Sequence, residues 1–584
     1  MAQPTISLCM IVKNEADHLS CCLNSVKDAV DEIIVVDTGS TDNTVNIAES
    51  YGAKIIRLHW IDDFSYARNA GLAAAKGTWI LILDADEELD ENHTEELRIC
   101  STHLEYDGFF MQIHNHAGAS KHSPTATINP ILRMFRNRPE HRFRGKIHEQ
   151  IAYAITETNP NAALHISSVK IHHYGYVHNL VVKKDKIQRN LKLLEQELRE
   201  NPDDPFHHYN MAVEYMRLND FRHALQHLRK SIALTTPETS YAHLLHKYES
   251  RCLFMLGEYQ EAVQVCDRAI PLFPDYTDLY HLKGVIQLAS GTKSQAKDAF
   301  IRSVEMGPAP AHYHTELGIG TFLSSYALGQ LFEESGDDAN AVHWYAEAVK
   351  HNSKMIQPLM RVFRIFKSLA MEQDIPRLLS ERFQMNSAEA IIKVVNVLME
   401  DSCFHAASAL LGQLDEDKYA LYRSSSSLKC EILSGNASEV IKKLRNCKQS
   451  PKRELEMVKF WMHGLFSDNV EPEDTLNLID ALSALLSYQV AESDSSRSSA
   501  MVDELEFGIK SAYFNHREDK ALQLIGHWQA KSQADTNSSS YEAHRRSRTM
   551  IALADAQLGR QKPTSLHYSL FRLARQTLPL ARGM

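Results

Sequence analysis

Ile33-Ile-Val-Val-Asp-Thr-Gly-Ser-Thr-Asp-Asn-Thr44 decides the fold: four β-branched residues end on a carboxylate, and a small polar turn leads into a capped helix start. A run that is apolar at every position is a strand buried on both faces, as in a parallel sheet covered by helices. The same unit recurs outward in both directions. Ile6-Ser-Leu-Cys-Met-Ile-Val12 precedes a helix carrying Leu19, Cys22, Leu23 and Val26, and a second helix is expected from Asn43. Lys54-Ile-Ile-Arg-Leu58 precedes a helix from Ser65 to Ala75, which leads into Trp79-Ile-Leu-Ile-Leu83. Strands alternating with helices predict βαβ units and an open, mostly parallel α/β sheet. Ligands of such sheets sit beyond the carboxyl ends of the strands, at Lys13-Asn-Glu15, Asp37 to Asp42 and Asp84-Ala-Asp86. Further β-like runs, Phe109 to Ile113, Ile131 to Phe135 and Val169 to His173, are expected to cover the sheet edge and build the acceptor side of a cleft.

Beyond about Val182 the period turns helical. Ala262, Ala269 and Pro274 recur as Ala296, Ser303 and Pro308 at a spacing of 34, and the same frame takes in Ala224, Ser231, Ala341 and Ala348. Small residues there let paired helices approach closely, so the pattern resembles tetratricopeptide repeats. Tyr215, Leu253, Gln287 and Phe332 take the large position, Gly284 and Gly329 the tight-packing one, and the best copies are Pro205 to Thr236 and Phe322 to Ser353. The expected division is residues 1–182 as an α/β domain, 183–354 as repeats, and 355–584 as degenerate helix pairs continuing the solenoid. Ser424 to Ser427, Ser493 to Ser499 and Ser538 to Ser540 read as loops between helices, and the tail from Arg572 as frayed.

The 584 residues carry 63 Lys+Arg against 74 Asp+Glu, a net charge of −11, so no basic excess points to a nucleic acid or an anionic membrane. Nine Cys form no CxxC pair, which speaks against a zinc site or disulfide framework and for a reducing, cytoplasmic setting. Ile6 to Val12, the longest apolar run near the start, is too short to span a membrane.

Asp84-Ala-Asp86 follows an apolar strand, where two carboxylates can hold a divalent ion and the ion a diphosphate. Asp37, at a strand's carboxyl end, can accept from a nucleobase or ribose donor, whereas Thr41 and Asp42 read as helix-capping residues. In this order the residues resemble an inverting family 2 glycosyltransferase with the nucleotide-sugar-binding GT-A fold. The matching stretches are Ser7 to Glu15, Ile33 to Thr44, Ala67-Arg-Asn-Ala-Gly71 and Trp79 to Asp86, within the first third of the chain. A catalytic domain followed by tetratricopeptide repeats also resembles some bacterial glycosyltransferases.

The resemblance implies that Asp37 contacts the base of the nucleotide, that Arg68 lies near the base or diphosphate, and that Val12, Asn14 and Glu15 border the nucleotide. It implies that Asp86 coordinates Mn²⁺ or Mg²⁺, that Asp84 contacts ribose or the metal (a DxD motif), and that His173 completes the metal site or contacts the diphosphate. Inversion also needs a carboxylate to take the acceptor's proton. Among Glu87, Glu88, Asp107, Glu140, Glu149 and Glu157, the choice is Glu149 in Phe143-Arg-Gly-Lys-Ile-His-Glu149, since a His-Glu pair recurs there in related enzymes. Arg133 and Arg136 could contact phosphate or cap a strand, and Trp60, Asp62 and Asp63 could shape the sugar pocket, with packing an at least equal reading for Trp60. The expected donor is a UDP-sugar. A protein or peptide recruited by the repeats is the expected acceptor, with a cell-surface polysaccharide or glycolipid as the alternative. The repeats could equally serve oligomerisation, and a repeat scaffold with an inactive transferase domain is the third reading.

Overall fold

The computed structural model describes residues 4–116, 126–174, 180–383, 385, 387–401, 403–415 and 418–433. The first βα units follow the apolar runs closely: β1 (Ile6–Val12), α1 (Leu19–Val26), β2 (Glu32–Asp37), α2 (Thr44–Ser50), β3 (Lys54–Arg57), α3 (Phe64–Ala74) and β4 (Trp79–Ile82). Helix α1 buries Leu19, Cys22, Leu23 and Val26, one stripe of a 3.6-residue period. Helix α3 starts at Asp63, whose side chain accepts from the Tyr66 amide.

Then come β5 (Glu87–Leu89), α4 (Thr94–Thr102), β6 (Gly108–His116), β7 (Ala126–Arg136), α5 (Ala152–Thr158) and β8 (Leu164–His173). The strand order is β3-β2-β1-β4-β7-β6-β8-β5. The first four run parallel, but β7 joins β4 antiparallel, and the β6–β7 and β5–β8 pairs are also antiparallel. The sheet is therefore mixed, and the later strands extend it where they were expected to cover its edge. The physical reason is connectivity: nine residues separate β6 from β7, fewer than a parallel crossover takes, so the two pair as neighbours running in opposite directions. Alternation along β1 splits the core. Ile6, Leu8, Met10 and Val12 pack with α1 on one face, while Cys9 joins Ile34, Ile80 and Ile82 against Leu72 and Ile155 on the other.

The helical part starts with α6 (Leu180–Glu200), α7 (Pro205–Arg217), α8 (Phe221–Leu234), α9 (Ala242–Met255), α10 (Tyr259–Ala269), α11 (Thr277–Ala289) and α12 (Lys293–Met306). Ala224, Ser231, Ala262, Ala269, Ala296 and Ser303 are fully buried, as the repeat frame requires. After α12 the chain leaves the repeat to form β9 (Thr315–Glu316), which adds to the edge of β7. The Leu317 amide donates to the Ala126 carbonyl at 2.7 Å. The chain divides into two compact units, residues 1–331 with 347–355, and 332–346 with residues from 356 onward. Seven further α-helices are described between Phe322 and Leu433.

Ser424 to Ser427 lie inside the helix Ala420–Leu433, which corrects the reading of that run as a loop. Serine costs a helix only a few tenths of a kcal/mol per residue, so apolar neighbours outweigh it. Ser493 to Ser499, Ser538 to Ser540 and the tail from Arg572 lie outside the described residues. No described helix is long and apolar enough to cross a membrane.

Candidate functional site

The carboxyl ends of β1 and β2 are stitched together by short side chains. Val12 sits opposite Asp37 in the register, and its carbonyl accepts from the Thr38 amide at 3.0 Å. Asn14 adopts φ +56°, a conformation asparagine tolerates better than most residues, and its Oδ1 accepts from the Thr41 amide at 2.8 Å. The Glu15 amide donates to Thr44 Oγ1 at 2.8 Å. Asp37 is buried, with Oδ1 accepting from the Ser40 amide at 3.0 Å. Asp42 accepts from the amides of Thr44 and Ala16, a structural tie of the kind expected of it. Val12, Asn14, Glu15 and Asp37 thus share one rim.

Next to β4 lies an ionic network. Arg68, on α3, is buried and donates through Nη2 to Asp84 Oδ1 at 2.9 Å and through Nε to Glu149 Oε1. Arg133, buried in β7, donates through Nη2 to Asp84 Oδ2 at 3.3 Å and to Glu87 Oε1. Glu87 Oε2 accepts from the Asp84 amide at 3.0 Å. Two guanidiniums thus meet three carboxylates, and two buried donors, Arg68 Nη1 and Arg133 Nε, have no hydrogen-bond partner among the described residues. Burial raises the Asp84 pKa, but Arg68 and Arg133 outweigh it and hold that carboxyl well below the usual range. Burial pushes Glu87 up to about 7, with the Asp84 charge adding to it against the pull of Arg133.

Asp86 faces a different partner. Its Oδ2 lies 3.1 Å from His173 Nε2, while His173 Nδ1 lies 2.8 Å from Asn115 Oδ1. Burial lowers the His173 pKa, yet the Asp86 hydrogen bond and the nearby carboxylates carry it above the ordinary value. His172, its neighbour on β8, points the other way to Asp90 and His116, each 2.9 Å distant. Carboxylate and imidazole suit Mn²⁺ or Mg²⁺, so Asp86 and His173 fit as two ligands. Asp84 does not, since each of its oxygens faces a guanidinium. Among the described residues no group of three or more His, Cys, Asp or Glu side chains could hold a metal by itself.

Glu149 ends a loop whose neck is closed by paired backbone hydrogen bonds between Arg144 and Gln150. Gly145, at φ +96°, gives its carbonyl to Ser65 Oγ at 2.6 Å, and Asn69 exchanges two hydrogen bonds with the Phe143 backbone. Arg136 lies over the Trp79 ring at 3.9 Å and donates to the carbonyls of Tyr106 and His103, so its role is packing. Trp60 donates to Asp62 Oδ1 at 2.9 Å and packs edge-on against Phe64. Asn115 and the pairing of Glu87 with Arg133 escaped the sequence reading. The available signal was a lone arginine between Leu132 and Met134 in an apolar strand.

The family described as Glycosyl transferase family 2 matches residues 7–155, and Tetratricopeptide repeat matches residues 209–277. The chain is 34% identical over 310 residues to the TPR repeat-containing protein Synpcc7942_0270 of Synechococcus elongatus, covering 50% of this chain and 75% of that one. It is 29% identical over 292 residues to the SPbeta prophage-derived glycosyltransferase SunS of Bacillus subtilis, covering 49% of this chain and 67% of that one. Among solved structures, S. aureus TarS 1-349 in complex with UDP-GlcNAc overlaps at 14% identity and a TM-score of 0.29, covering 44% of this chain and 92% of that one.

Proposed function

Since this chain belongs to the family 2 glycosyltransferases that carry tetratricopeptide repeats, we propose that it transfers a sugar from a UDP-sugar, with inversion, to an acceptor hydroxyl or thiol. The observation that carries the reading is the Arg68–Asp84–Arg133–Glu87–Glu149 network beside the Asp86–His173 pair. Val12, Asn14, Glu15 and Asp37 border the nucleoside on the rim they share. Arg68, with Nη1 buried and unpartnered, offers the diphosphate a charged donor where negative charge develops as the glycosidic bond breaks.

Glu149 is the base in this proposal. Before the donor arrives its Oε1 is held by Arg68. A diphosphate competes for that guanidinium and frees the carboxylate to take the acceptor's proton as the acceptor oxygen or sulfur bonds to the anomeric carbon. Asp86 and His173 would hold Mn²⁺ or Mg²⁺, which when bound neutralises charge on the diphosphate. Asp84 orients the two arginines. A protein or peptide acceptor follows from the repeat region, a class of surface suited to extended chains.

Calorimetry with UDP, with and without Mn²⁺, tests the reading on the wild type and Asp86→Ala. Metal-dependent binding that Asp86→Ala weakens tenfold or more is the expected result. A wild type that binds neither UDP nor another nucleoside diphosphate leaves the repeat-scaffold reading in its place.

A further inference from the structure

The loop carrying Glu149 is held from both sides. On one side α3 grips it through Ser65 and through the Phe64 amide, which donates to the Lys146 carbonyl at 2.9 Å. On the other side lie the first two helices of the repeat region. Ile147 packs with Ile187, Leu191, Leu194 and Met211, the Lys146 amide donates to Glu197 Oε1 at 3.3 Å, and Lys146 Nζ reaches Glu200 at 3.0 Å.

Between these contacts sits a fully buried carboxylate, Glu214 on α7. Its Oε1 accepts from Asn190 Nδ2 at 2.9 Å and from Arg217 Nη1 at 2.8 Å, while its Oε2 is buried without a partner among the described residues. His148 Nε2, also buried and without a hydrogen-bond partner among the described residues, lies 4.0 Å from Glu214 Oε1. His148 stands at φ +53°, immediately before Glu149. Burying a carboxylate with an oxygen unsatisfied and an imidazole nitrogen idle beside it is costly unless the two groups serve each other. The gap is measured to Oε1, which already takes two donors, so pairing the idle atoms takes a shift of about an ångström together with a turn of the carboxylate that brings Oε2 toward the imidazole.

We propose that Glu214 is a positioning residue for Glu149: acting on His148, it fixes the left-handed turn that aims the Glu149 carboxylate at Arg68. The first repeat helices then complete the catalytic loop in addition to whatever acceptor the array recruits. Burial holds the His148 ring below its ordinary pKa, so at neutral pH it meets Glu214 as an uncharged partner. The proposal deepens the glycosyltransferase reading and rests on it for the role of Glu149, but the coupling of loop to helix is measurable without turnover.

The test uses the full chain as wild type, Glu214→Gln, His148→Asn and the double variant. Glutamine is isosteric with glutamate, and asparagine tolerates the positive φ, so His148→Asn removes the imidazole without straining the turn. Hydrogen exchange at the amides of Arg144, Lys146 and Gln150 is expected to speed about tenfold in each single variant and no further in the double. Hydrolysis of UDP-sugars is expected to lose at least tenfold in kcat with donor KM and UDP Kd within about twofold of wild type. Unchanged exchange in the folded variants, or faster exchange with unchanged turnover, overturns the proposal. If Glu214→Gln fails to fold, His148→Asn alone decides. A wild type that neither binds nor hydrolyses a nucleotide sugar refutes the donor reading, and the exchange measurement then decides the coupling by itself.

Discussion

Arg68 touches both Asp84 and Glu149, so the proposed base and one Asp of the strand-end pair share a single cation. Glu149→Gln separates their roles. The amide keeps the size of the carboxylate and can still accept from Arg68, but it cannot take a proton at neutral pH. Turnover is expected to fall between about 10² and 10⁴-fold while UDP affinity stays within a few fold. Steady-state kinetics beside calorimetry checks this, and a variant that retains more than a tenth of wild-type kcat removes Glu149 from the role. Much of this site was legible because it is local in sequence: Asp37, Arg68, Asp84 and Asp86 each stand at or just after an apolar strand or helix start. Arg133, Glu87 and Asn115 were harder to read because their meaning depends on pairing. Arg133 reaches Asp84 only because β7 lies against β4, which no spacing between residues 84 and 133 encodes.

β1, β2 and β4 were legible for the same local reason, since a strand buried on both faces has few polar positions to blur its boundaries, whereas the edge strand β3, with exposed Lys54 and Arg57, showed only in Ile55 and Ile56. The three-residue β5 and the two-residue β9 carry no period of their own and exist through their partners, β8 and β7. Close packing between elements can be tested at two glycines. A Cβ on Gly77 would come within 2.7 Å of the Ser7 amide nitrogen and 2.6 Å of its Oγ, and the backbone there is pinned in β1. Gly77→Ala is expected to destabilise by about 3 kcal/mol, since the strand itself must move. In the repeats, a Cβ on Gly284 would come within 2.8 Å of the Phe300 ring, which is fully buried. There, the better helix propensity of alanine offsets about 1 kcal/mol of the overpacking, leaving a net cost of about 1 kcal/mol. Urea denaturation of both variants decides it: equal costs, or a larger one at Gly284, contradict a strand backbone less yielding than a ring.

At the scale of the first compact unit, the catalytic sheet and the repeats are joined by the segment between α12 and Phe322. The repeat frame carries a trace of it, since Ala341 falls eleven residues late after Ala296 against the 34-residue spacing. The segment is seated on buried polar groups. His243 Nε2 accepts from the His314 amide at 3.1 Å, Tyr276 donates to the His314 carbonyl at 2.7 Å, and Lys247 reaches Asp278 at 2.6 Å and Glu316 at 3.0 Å. Burial pushes His243 down to about 3 and His281 to about 4, both from 6.5, so the folded protein keeps them neutral where the unfolded chain takes up protons. Folded pKa values below the unfolded one mean stability that is complete above pH 6.5 and lost as pH falls toward 4. Each of the two histidines is expected to cost about 2 kcal/mol by pH 5. Glu316, held down to about 2 chiefly by the Lys247 charge, adds its loss only below pH 4.5. Between pH 6.5 and 4.5 the slope therefore reports the histidines without this carboxylate. His243→Gln keeps an acceptor for the His314 amide but cannot titrate, so urea denaturation at pH 7.5, 6.0 and 5.0 should show a shallower loss in that variant by about the share of one histidine. An unchanged slope means that His243 is already protonated in the folded protein, and the seat of β9 then depends on Lys247 and Asp278 instead.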